Sequence, residues 1–103
     1  MEEKDKKSVN FTIVPDDDTT TTRIYSNFCS IQNSPFDFTL TFCEMRPIGP
    51  RDLQQAASTH EVKAPIKARI VVPVQMIGGL ITALQDNLRM YNESFGPPRG
   101  PLH

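Results

Sequence analysis

The apolar positions of this chain change rhythm along its length, alternating in the first part and taking helical spacing in the last. Val9, Phe11 and Ile13 alternate with Asn10 and Thr12, which predicts a strand over Ser8 to Val14 that Pro15 stops. Arg23 to Gln32 (RIYSNFCSIQ), rich in β-branched and aromatic residues, predicts a second strand. Asn33-Ser34-Pro35 is turn chemistry, and the stretch after it alternates cleanly. From Phe36 to Glu44, Phe36, Phe38, Leu40 and Phe42 face one way, while Asp37, Thr39, Thr41 and Cys43 face the other. That is a third strand with one buried face, paired with the second as a hairpin. Ile66, Ala68, Ile70 and Val72 set a fourth strand, with Lys67 and Arg69 on its other face.

After Pro73 the period becomes helical. Ile77, Leu80, Ile81, Leu84, Leu88, Tyr91 and Phe95 are spaced by threes, fours and sevens, one stripe of an α-helix over Val74 to Phe95. Pro73 suits a first helical position, Gly96 suits a C-terminal cap, and Pro97-Pro98 forbids continuation. A helix of that length runs roughly 33 Å, while strands of this size reach only about 23 Å. The helix therefore overhangs any sheet it covers. The predicted fold is α+β: a mostly antiparallel sheet of about four strands, with one long C-terminal helix packed on one face. Residues 1–7 and 97–103 read as disordered tails around a single domain, 8–96. The Arg46 to Pro65 connection, with Asp52 to Ser58 able to form a helical turn or two, is long enough to be functional or mobile.

Composition narrows the functions. A net charge of −1 leaves no basic surplus to neutralise phosphates. The charged start MEEKDKKS is not a secretory signal, and no run reaches the ~18–20 apolar residues of a membrane span. Two cysteines without a signal point to reduced thiols in the cytoplasm. A domain of 103 residues with frayed ends has a small core, for which self-association is a usual remedy.

Candidate chemistry is thin. Asp16-Asp17-Asp18 lacks the spacing of a calcium loop and reads as a solvated turn. Cys29, Cys43, His60 and His103 lack zinc spacing, and His60, the only internal histidine, is a poor base for a nucleophile. With the hairpin turn centred near Phe36, Cys29 and Cys43 stand opposite each other, a conceivable redox pair. Gly78-Gly79 inside a helix is no phosphate cradle. A second, thinner helix stripe of Met76, Gly79, Ala83 and Met90 would admit close approach of another backbone.

Three segments carry a family resemblance. They are Ile24-Tyr25-Ser26-Asn27-Phe28, then Ser34 to Phe42 (SPFDFTLTF), then Arg69 to Val72 running on to Ala83 to Tyr91 (ALQDNLRMY) and Phe95-Gly96. Together they resemble the short bacterial proteins classed as domain-of-unknown-function family 3467, with its Y-x-N strand, S-x-x-D-F-x-L-x-F strand and A-L-Q-x-N helix. That resemblance implies no activity, cofactor or catalytic residue. The layout is also loosely similar to the export chaperone SecB, a likeness of arrangement only.

The function these features predict is a non-enzymatic, self-associating protein–protein interaction or adaptor module. Its expected contacts are Tyr25, Phe28, Met76, Gly79, Ala83 and Met90, with a homo-oligomer and an unidentified protein as partners and no cofactor or metal. Nucleic-acid binding through Lys67 and Arg69 is the alternative, disfavoured by charge. A redox or small-ligand site at Cys29 and Cys43 is a further one.

Overall fold

A computed structural model describes residues 9–97. Three strands form one antiparallel sheet in the order β1 (Phe28–Asn33), β2 (Asp37–Cys43), β3 (Ile66–Pro73). A helix, α1 (Pro50–Thr59), lies in the connection between β2 and β3, and α2 (Val74–Phe95) follows β3 directly.

The β1–β2 hairpin closes through one side chain. Ser34 Oγ accepts the backbone N–H groups of Phe36 and Asp37 at 3.1 and 3.2 Å and bonds Asp37 Oδ1 at 2.9 Å. The Ser34 N–H donates to the Asp37 carbonyl at 2.9 Å. This turn sets the register: Asn33 opposes Phe38, Ile31 opposes Leu40 and Cys29 opposes Phe42. On the other side of β2, Phe38 opposes Val72, Leu40 opposes Ile70 and Phe42 opposes Ala68. Nine residues thus share one face of the sheet. The other face carries Phe28, Thr39, Thr41, Cys43, Arg69 and Val71. A bulge beside Phe42 and Cys43 leaves Lys67 as the extra residue of β3.

The expected first strand is absent among the described residues. Val9 to Val14 runs without strand pairing, with Phe11 84% exposed, and Ser8 lies outside the described residues. Alternation makes a strand only where a sheet edge accepts it, and the sheet has three strands rather than about four. The second strand is also shorter than expected, beginning at Phe28 rather than Arg23. Ahead of it, the chain around Thr22, Ile24 and Ser26 borders a cleft of about 250 Å³ with Phe42, Ala68 and Ile70. The expected tails, 1–7 and 97–103, lie outside the described residues except for Pro97.

The long helix has the predicted span, Val74–Phe95. Pro73 is its N-cap in an extended conformation, φ −67° and ψ 151°, rather than its first residue. Gly96, at φ 82°, closes the C-terminus and donates its N–H to the Asn92 carbonyl at 2.9 Å. α1 is longer than the expected turn or two. Pro50 opens it, and Asp52 Oδ2 accepts the Gly49 N–H at 3.1 Å.

The relation of helix to sheet is the main departure. α2 touches only β2 and β3, sparsely, and every residue from Ile81 to Tyr91 is exposed. The stripe expected to pack on the sheet is open, with Leu84 62% and Phe95 76% exposed. α1 packs on none of the other elements. Among the described residues the buried hydrophobic core is Cys43 and Val72, each 6% exposed.

Candidate functional interface

The structure offers open surfaces. Among the described residues no group of three His, Cys, Asp or Glu side chains is placed to hold a metal ion. The acidic run is used locally: Asp17 Oδ1 accepts the Thr19 N–H at 2.9 Å, and Asp18 Oδ1 accepts the Thr20 N–H and hydroxyl at 3.0 and 2.8 Å. The backbone and hydroxyl bonds from Thr20 hold the Asp18 carboxyl below its usual range, the ordinary effect of stabilising the anion.

Cys29 and Cys43 are not cross-strand partners. The turn centre lies one half-step from the position expected, so Phe42 stands across from Cys29 and Phe28 across from Cys43. A slip of one residue reverses faces. Cys29 is exposed on one face and Cys43 buried on the other, both as free thiols. Lys67 faces Glu44, with Nζ 3.7 Å from Oε1, so one of the two expected phosphate-binding cations is engaged by a carboxylate. Arg69 sits opposite Thr41.

The residues expected to make protein contacts are exposed: Tyr25, Phe28, Met76, Gly79, Ala83 and Met90. A Cβ built on Gly78 or Gly79 meets nothing within 4 Å, so neither glycine is required by packing inside the chain. Phe28 also borders a small cleft of about 110 Å³ with Met45, Val62 and Ala64. A larger, more polar cleft of about 370 Å³ lies along α1, edged by Asp52, Gln55, Thr59 and Glu61.

Beside these stands the broad apolar stripe of α2, which sequence reasoning assigned to the sheet. Its charged residues lie away from the stripe and satisfy one another. Arg89 reaches Asp86 at 3.8 Å and Glu93 at 3.5 Å along the same helix. Tyr91 and Phe95 stack on each other with ring centroids 5.1 Å apart. The Asn92 side-chain oxygen is shielded from solvent without a hydrogen-bond partner, and nothing in the structure explains it.

The short polar motifs turn out to be structural clamps. Asn27 Nδ2 donates to the Met45 carbonyl at 3.1 Å, and Asn27 Oδ1 accepts the Met45 N–H at 2.7 Å. Ser26 Oγ donates to the Cys43 carbonyl at 2.8 Å. These bonds tie the entry of β1 to the exit of β2. Sequence reasoning noted Ser26 and Asn27 only as parts of a motif; their partners lie 17 and 18 residues away.

The fold and its clamps define a small α+β module whose apolar surfaces are largely open. The chain belongs to the family described as "Protein of unknown function (DUF3467)", whose profile matches residues 1–98. No curated protein and no solved structure matches the chain, and the layout likeness to SecB is not shown.

Proposed function

We propose that this protein is a self-associating interaction module with no catalytic role, working in the cytoplasm as a homo-oligomer that presents its remaining surface to another protein. The observation that carries this reading is the open apolar face of α2 together with a buried core of only Cys43 and Val72 among the described residues.

Magnitudes support it. A compact monomer of 11.6 kDa exposes about 5,800 Å² by the general scaling of surface with mass. This chain exposes 9591 Å². That total covers the whole chain, the extended segment before β1 included; on the helix itself Leu84, Leu88 and Phe95 are 62%, 51% and 76% exposed. A standard interface hides about 800 Å² per partner, and the open stripe of α2 is apolar surface available to one. A helix with two glycines in its first half draws most of its stability from tertiary packing of its apolar face. A second molecule supplies that packing.

Sedimentation equilibrium over a concentration series tests the reading. An oligomer that persists at tens of micromolar, with helix content falling on dilution, is the expected result. A folded monomer at the same concentration overturns it.

A further inference from the structure

We propose that α2 pairs with α2 of a second copy in an antiparallel two-helix coil, a step that rests on the self-association reading and specifies its interface. The argument begins with spacing. With Leu80 set on the flank, the remaining stripe residues Ile77, Ile81, Leu84, Leu88, Tyr91 and Phe95 stand at intervals of four, three, four, three and four. That is the alternation of the two core positions of a heptad repeat, sustained along the helix after its first turn. A helix that only lies on its own sheet needs a broader stripe and no strict seam. Here the seam is open to solvent along its middle, from Ile81 to Tyr91.

Charge selects the occupant. The positions flanking the seam are Gly78, Gln85 and Asn92 on one side and Leu80, Asn87 and Ser94 on the other, none of them charged. In heptad pairs those flanks choose partners by complementary charge. Asp86, Arg89 and Glu93 lie on the far side and neutralise one another within the helix. A charged partner gains nothing along this seam, and an identical copy meets no repulsion.

Side-chain size gives the orientation. In an antiparallel pair centred on Asp86, Leu84 packs against Leu88 of the other copy, Ile81 against Tyr91 and Ile77 against Phe95. Each outer layer then combines one aliphatic with one aromatic side chain, and the volume stays even along the coil. A parallel pair stacks Tyr91 on Tyr91 and Phe95 on Phe95 at one end and isoleucines at the other. The antiparallel pair also has the two-fold symmetry usual for dimers and opposes the helix dipoles.

The test uses the full chain and two kinds of variant. Leu88→Glu puts a charge in the central layer and weakens association by about 100-fold or more, whereas Thr82→Glu, on the far face, leaves it intact. In a Cys29→Ser background, copies carrying Leu84→Cys and Leu88→Cys are mixed under oxidised glutathione. The expected product is the mixed disulfide. Leu88→Glu copies that remain as tightly associated as the wild type overturn the seam while leaving self-association standing. Leu84→Cys copies that crosslink only to themselves overturn the antiparallel order. A monomeric wild type overturns the underlying reading and the seam with it. Because both cysteine variants are small and uncharged, the crosslink stays informative if Leu88→Glu fails to fold.

Discussion

At the scale of single residues, the side chains that hold this protein together are polar and bind backbone. Asn27 fastens both the N–H and the carbonyl of Met45, so Asn27→Leu leaves two backbone groups without their partner. We expect a loss of about 1–3 kcal/mol, read by urea unfolding at fixed protein concentration, with Asn27→Asp intermediate because it keeps the acceptor. Asp18 makes a different kind of prediction. Its folded-state pKa is lowered by the Thr20 backbone and hydroxyl bonds. The turn it holds is therefore intact above the ordinary Asp value of 3.8 and lost as pH falls through the lowered one. Titration of the Asp18 carboxyl by NMR should give a midpoint below 3.8 in the wild type, moving up in Thr20→Val. None of these partnerships was legible in the sequence. Asn27 stood out only as a motif letter, because the group it binds depends on a register set by the Ser34 turn. The cysteines show the same limit: placing the turn slightly off centre was enough to pair Cys29 with Cys43 instead of Phe42.

At the scale of elements, local signals served well and long-range ones poorly. The long helix was legible to the residue because its period, Pro73 and Gly96 all agree; the second hairpin strand followed from alternation, while the first, expected from its β-branched and aromatic residues, begins at Phe28 rather than Arg23. The strand expected over Ser8 to Val14 has an equally regular pattern, yet Val9 to Val14 pairs with neither outer edge of the sheet, and pattern alone cannot supply a partner. The broad stripe of α2, expected against the sheet, meets it only sparsely and lies largely open. Its spacing reports that the face seeks burial without saying against what. Two helix predictions follow. A Cβ at Gly79 meets nothing, so Gly79→Ala should stabilise the helix by about 1 kcal/mol. Gly96 sits at φ 82°, so Gly96→Ala should cost about 1–2 kcal/mol despite open space around it. Thermal unfolding followed by circular dichroism distinguishes the two signs.

At the scale of the whole molecule, the account turns on where the missing core comes from. Among the described residues the buried hydrophobic core is Cys43 and Val72, while α2 is exposed from Ile81 to Tyr91. A second copy laid along α2 converts the exposed seam into interior. Stability then becomes a matter of mass action, and the melting temperature should rise with protein concentration, as it does for any fold completed by its partner. Sedimentation equilibrium of the wild-type chain between sub-micromolar and tens of micromolar measures this most directly. The account predicts an oligomer at the upper end that dissociates on dilution with loss of helix. A folded, helical monomer throughout that range would contradict it.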